Sequence, residues 1–93
     1  MKTMNTYIDR NKFNEEIVDL VNDYLDNMDV YPESTCIAVY KQTCDLELFT
    51  ATEVGVNWET YPITSFLRQN ENKDGIEVDI DATLDLADKF YFM

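Results

Sequence analysis

An α+β domain, with a small antiparallel sheet of three to four strands covered on one face by two to three helices, is predicted by three observations. Apolar residues recur at helical spacing from Phe13 to Met28. Two stretches between Cys36 and Thr50 alternate or are rich in β-branched and aromatic residues, and a second helical pattern follows Asp81. With 93 residues only one core of ordinary size can form, so residues 1–93 are read as a single domain. Two Gly and two Pro supply neither a flexible linker nor the turn density of a barrel.

The first helix is expected over about 11–28. Phe13, Ile17, Leu20, Val21, Tyr24, Leu25 and Met28 draw one continuous apolar stripe on it. Asp9 or Asn11 caps its start, Glu15 and Glu16 suit the positive end of the helix dipole, and Asn27, Asp29 and Tyr31-Pro32 end it. Cys36 to Lys41 and Cys44 to Thr50 then form a hairpin. If Gln42-Thr43 connects them, Val39 meets Leu46 and Ile37 meets Leu48 on the core face, while Tyr40 meets Asp45 and Ala38 meets Glu47 on the other. Gln-Thr is a poor two-residue turn, which leaves a longer loop open. In this register Cys36 and Cys44 point to opposite faces, which argues against a bond between them.

Thr52 to Trp58 reads as a third strand interrupted at Gly55. Tyr61-Pro62 opens a short helix that places Ile63, Phe66 and Leu67 on one face. A turn around Lys73-Asp74-Gly75 leads into Ile76 to Ile80, which alternates as a half-buried strand does. Asp81 caps a last helix over about 82–91, burying either Leu84, Ala87 and Tyr91 or Leu86 and Phe90.

Charge narrows the function classes. There are 19 acidic and 7 basic residues, a net charge of -12 and a pI near 4.1, yet 45% of the residues are hydrophobic, so the acidity sits on a folded body. Such a surface repels nucleic acid and anionic membranes and attracts a basic protein surface. The absence of histidine removes the commonest general base, the commonest metal ligand and any Ser-His or Cys-His nucleophile pair. No Gly-rich phosphate loop, CxxC or GxSxG occurs, so neither an enzyme nor a cofactor is expected. Met1 to Arg10 is polar where a signal peptide is apolar, and no run approaches the roughly 20 apolar residues of a membrane span. The expected location is the cytoplasm, with Cys36 and Cys44 as reduced thiols.

The segment from Phe13 to Ser34 holds Glu15, Glu16, Asp19, Asp23, Asp26, Asp29 and Glu33 and no lysine or arginine. On a helix, Glu15, Asp19, Asp23 and Asp26 form one stripe opposite the apolar one, with an axial rise of about 6 Å per four-residue step. Like charges so placed cost a few tenths of a kcal/mol per pair, and Asp23 and Asp26 also lie toward the negative end of the dipole. A local rule broken without structural return flags function; the bland alternative is a solvated face. A second acidic region runs through Asp74, Glu77, Asp79, Asp81, Asp85 and Asp88 to Lys89. The expected partner-binding residues are Glu15, Asp19, Asp23, Asp26, Asp29, Glu33, Asp79, Asp81, Asp85 and Asp88.

Two further patterns compete for attention. Asn70, Asn72, Asp74, Gly75 and Asp81 occupy positions one, three, five, six and twelve of a calcium loop. Asn replaces Asp at the first position, Asp replaces the bidentate Glu at the last, and Glu77 stands where an aliphatic residue belongs; an Asn/Asp/Gly turn fits better. Trp58, Tyr61 and Phe90-Tyr91-Phe92-Met93 offer aromatic anchors, with Phe90 and Tyr91 assigned to the core and Phe92 and Met93 to a dimer or partner contact.

The expected function is therefore that of a small acidic inhibitor occupying the basic, nucleic-acid-binding surface of a partner such as a nuclease. Size and charge, without any shared motif, give it the physical character of nuclease immunity proteins and of DNA-mimic anti-defence proteins. The alternatives are a structural or adaptor domain that forms a homodimer, its acidity serving solubility, and an acidic calcium-binding module.

Overall fold

The structure, a computed structural model, describes residues 9–50, 55–70 and 75–91. Helix α1 spans Arg10–Asp26. Asp9 caps it, its carboxylate accepting the backbone N–H of Asn11 at 3.0 Å and of Lys12 at 3.1 Å. At the other end the Asn27 N–H donates to the Tyr24 carbonyl, and the chain turns away. Phe13, Ile17, Val21 and Tyr24 are buried as the stripe requires, with Leu20 and Leu25 partly so. Met28 lies past the helix and is 45% exposed; Tyr31 covers that end of the core instead, stacking on Tyr24 at 5.9 Å.

Strands β1 (Thr35–Tyr40) and β2 (Leu46–Thr50) pair antiparallel with Val39 opposite Leu46 and Ile37 opposite Leu48, the register that alternation predicts. The connection is longer than two residues. Tyr40 N–H donates to the Asp45 carbonyl and Cys44 N–H to the Tyr40 carbonyl, which leaves Lys41 to Cys44 as the loop. Cys44 closes it at φ 61°, a left-handed conformation that costs a side-chain-bearing residue about 1–2 kcal/mol. Its side chain is buried in the core, whereas Cys36 stands on the opposite sheet face; both thiols are free.

The third strand lies further along than expected. Strand β3 is Trp58–Pro62, antiparallel to the free side of β1, giving the order β2-β1-β3. Of the expected strand Thr52 to Trp58, residues 51–54 lie outside the described residues. Tyr61 and Pro62 close β3 rather than opening a helix. Proline is tolerated there because β3 is an edge strand and Pro62 is its last residue. The apolar triplet that suggested the helix supports one 3-10 turn, Ile63–Phe66, which buries Ile63 and Phe66; Leu67 is already extended.

Strands β4 (Leu67–Gln69) and β5 (Ile76–Val78) form a separate antiparallel pair. Helix α2 spans Ile80–Tyr91, so the alternation through Ile80 is strand only to Val78. The cap is Asp79, not Asp81: its carboxylate accepts Ala82 N–H at 3.2 Å and its carbonyl accepts Thr83 N–H at 3.1 Å. Asp79 N–H is itself fixed by the Phe66 carbonyl at 2.8 Å, which sets where the strand stops and the helix begins. Of the two alternatives for the buried face, the structure takes Leu86 and Phe90 and adds Ala87 from the other, with Leu84 half-buried. Thr83 is also buried, its hydroxyl satisfied by the Ile80 carbonyl at 2.8 Å.

Both helices cover the same face of the three-stranded sheet. One apolar cluster joins Phe13, Ile17 and Val21 of α1 to Ile37 and Val39 of β1 and to Leu86, Ala87 and Phe90 of α2. The helices also pack on each other: Phe13 meets Phe90 at 6.0 Å, and an Arg10–Asp88 ion pair sets the start of α1 against the end of α2. No helix among the described residues is long and apolar enough to cross a membrane.

Candidate functional site: two acidic helix faces

Burying Phe13, Ile17, Val21 and Tyr24 turns Glu15, Asp19, Asp23 and Asp26 to the opposite side of α1, and all four are exposed. On α2 the same logic acts: Thr83, Leu86, Ala87 and Phe90 point inward, so Asp81, Asp85 and Asp88, at steps of four and three, point outward. Because both helices lie side by side on one sheet face, their outer stripes share the surface directed away from the sheet. Sequence spacing shows each stripe; only the packing brings them together. Asp29 and Glu33 are exposed as well, but in the turn beyond α1 rather than along it.

Not every expected carboxylate is available. Asp79 is half-buried and spent as the α2 cap. Asp88 is held by Arg10, whose guanidinium keeps that carboxyl below the usual range. Asp23 accepts the Tyr31 hydroxyl at 2.7 Å and the Asn27 amide at 3.2 Å; the hydrogen bond to Asp23 raises the Tyr31 hydroxyl pKa. Glu15, Asp19, Asp26, Asp29, Glu33, Asp81 and Asp85 carry carboxylates that bond to no other described residue.

Arg68 and Lys89 are deployed in bracing, whereas Lys12 is exposed on α1 at helical spacing from Glu15, Glu16 and Asp19, and Arg10 holds Asp88 between the two helices. Arg68 pairs with Glu77 at 2.6 Å across β4 and β5. Lys89 donates to the Tyr61 hydroxyl oxygen at 2.7 Å and to Glu59 at 3.3 Å, while Tyr61 donates to Glu59 at 2.6 Å. These bonds tie α2 to the edge strand. The Tyr61 hydroxyl, then Lys89, draws the Glu59 carboxyl below its ordinary value, and burial pushes the Tyr61 hydroxyl up. Tyr61 thus serves the core-facing side, against the edge of Phe90 at 6.3 Å.

Of the calcium-loop residues, Asn70 and Gly75 close the β4–β5 hairpin and Asp81 lies in the first turn of α2. Asn70 N–H donates to the Gly75 carbonyl at 2.9 Å, and its amide donates to Glu77 at 2.9 Å. Asn72 and Asp74 lie outside the described residues, as do Phe92, Met93 and the side chain of Tyr91. Among the described residues no cluster of three metal-ligating side chains occurs. Burial pushes both cysteine thiols above their ordinary pKa, with Asp45 adding to the effect at Cys44, which disfavours the reactive thiolate.

One surface escapes sequence reading. Tyr40, Phe49 and Trp58 gather on the sheet face turned away from the helices, in edge-to-face contacts of 5.0 and 5.2 Å. Parity alone could have marked Tyr40 as outward; that Trp58 joins it depends on the β3 register. No protein family, curated protein or solved structure matches this chain.

The crowded carboxylates predict a stability that rises with salt. Glu15, Asp19, Asp23 and Asp26 form three like-charge neighbours on α1, together costing on the order of 1 kcal/mol at low ionic strength. The three ion pairs are partly exposed, so screening them loses little. Raising salt from very low to moderate should lift the melting temperature by about 4–8 °C. A flat or falling melting curve would show that the charges are not in conflict.

Proposed function

We propose that the chain is a binding protein whose acidic helix faces occupy a basic surface of a partner protein, one that otherwise holds nucleic acid. The supporting observation is the shared outer surface of α1 and α2, where the carboxylates of Glu15, Asp19, Asp26, Asp81 and Asp85 bond to no described residue, with Lys12 on α1 and the longer-range charge of Arg68 at Asp81 offsetting only part of that negative charge. Unpaired like charges on rigid helices weaken the fold a little and present a fixed negative potential, which steers a basic partner and speeds encounter at low salt. Carboxylates repeating at about 6 Å along a helix resemble a phosphate backbone in sign and in having a regular spacing.

The test is capture followed by competition. Immobilised protein is exposed to a lysate of its source cell, bound material is eluted in a salt gradient, and the purified captured protein is loaded with a labelled oligonucleotide. The protein should displace the oligonucleotide, with an apparent affinity that falls steeply as salt rises. A captured partner that retains its oligonucleotide under saturating protein sinks the reading.

A further inference from the structure

The sheet face remote from the helices carries its own chemistry. Trp58 on β3 meets Tyr40 on β1 edge to face at 5.0 Å and reaches Phe49 on β2 at 5.2 Å, bridging across β1, where Ala38 has no exposed surface. The three rings are only half-buried, and no described helix crosses them. At the end of this face nearest the β1–β2 loop, Tyr40 and Trp58 line a cleft of 440 Å³ together with Glu16 of α1 and Asp45, Leu46 and Glu47. That volume is within the range of small-ligand sites, but the lining is too polar for an apolar ligand.

Its donors and acceptors select a cation. Asp45 accepts the Thr43 hydroxyl at 2.7 Å, whereas the Glu16 and Glu47 carboxylates bond to no described residue. Aromatic rings with carboxylates beside them offer a cation both a π face and a counter-charge. A guanidinium uses both, since it is planar, weakly hydrated and able to donate two parallel hydrogen bonds to one carboxylate; an ammonium is a strongly hydrated point charge that gains less. Glu16 neighbours Glu15 and follows the α1 stripe, so the cleft continues the acidic helix surface around the end of the sheet.

We propose that this cleft seats an arginine side chain of the basic partner, its guanidinium against Trp58 and Tyr40 and paired with Glu16 and Glu47. This rests on the reading of the acidic faces as a surface for a basic protein, and it adds a preference that a charged ridge alone does not confer.

Two probes of equal length, an oligoarginine and an oligolysine peptide, separate the two ideas in titrations at low salt. The native protein should bind oligoarginine roughly three- to tenfold more tightly than oligolysine, with a change in the fluorescence of Trp58, the single tryptophan. Trp58→Leu should abolish that preference while both peptides still bind in a salt-dependent way. Glu47→Gln, at an exposed position, should shrink the preference too, and it keeps the test valid if Trp58→Leu does not fold. Substituting Asp19, Asp23 and Asp26 by Asn should weaken both peptides alike and leave the preference intact. Equal binding of the two peptides by the native protein, or a preference that survives Glu47→Gln and folded Trp58→Leu, overturns the arginine cleft and leaves the acidic ridge standing. Absence of binding by either peptide overturns both. Dimerisation in sedimentation that Trp58→Leu abolishes also overturns the cleft, because a second copy would then cover the aromatic face.

Discussion

Phe90→Ala should cost about 3–5 kcal/mol, a large share of the roughly 5–15 kcal/mol that holds a domain of this size together. Phe90 has no exposed surface and joins all three layers of contact: Phe13 of α1 at 6.0 Å, Tyr61 of β3 at 6.3 Å, and the cluster around Leu86 and Ala87 on its own helix. Removing the ring takes away its transfer free energy and leaves a cavity between two helices and an edge strand that cannot all close on it. The melting temperature should fall by something on the order of 15 °C or more. Leu84→Ala is the control. Leu84 is half-buried on the flank of α2, so its loss should cost well under half as much. Equal costs in chemical denaturation would mean that α2 packs through the Leu84 side, the alternative that its sequence also allows.

That the sequence allowed both shows where pattern reading runs out. The α1 stripe is legible because seven apolar residues fall within one sector, although the sequence left the cap open between Asp9 and Asn11 and the structure puts Met28, the last of the seven, past the helix end. The β1–β2 register is equally determined, since shifting it by one residue would place Glu47 among the core side chains in place of Leu46 or Leu48. Past Thr50 the constraints weaken. Trp58 to Pro62 has no strict alternation, and its strand identity comes from pairing with β1, a partner some twenty residues earlier. Ile63, Phe66 and Leu67 match one helical turn, too short a run to tell a 3-10 turn from a helix. Asp79 and Asp81 are both plausible caps by composition; the Asp79 N–H bond to Phe66 decides between them, and it links segments that only tertiary structure aligns.

The candidate surface divides in the same way. Spacing alone places Glu15, Asp19, Asp23 and Asp26 on one stripe, because helix geometry is local. Which carboxylates are already engaged is not local: Arg10 lies 78 residues from Asp88. The aromatic wall of Tyr40, Phe49 and Trp58 is drawn from three strands and so required the whole sheet order.

Neutralising the α1 ridge with Asp19→Asn, Asp23→Asn and Asp26→Asn together should separate binding from stability. Asp19 and Asp26 are exposed and bond to no described residue, so their change removes repulsion alone; Asp26 also sits at the negative end of the helix dipole. Asp23 is the one position with something to lose, since it accepts the Tyr31 hydroxyl at 2.7 Å. Asn keeps an oxygen acceptor for that hydroxyl, and its helix propensity is close to that of Asp. Stability should therefore hold or rise by up to about 1 kcal/mol at low salt, and the dependence of melting temperature on salt should flatten. Binding to the captured partner should move the other way. With three charges removed from the surface that faces it, the association rate at low salt should drop by roughly an order of magnitude and its salt dependence should decrease. The dissociation rate should change less, because exposed charges act mainly on encounter. Stopped-flow association at several ionic strengths, beside thermal melts of the same samples, reads both effects. A triple variant that associates at the native rate with the native salt response would leave the acidic stripe as a solvated helix face.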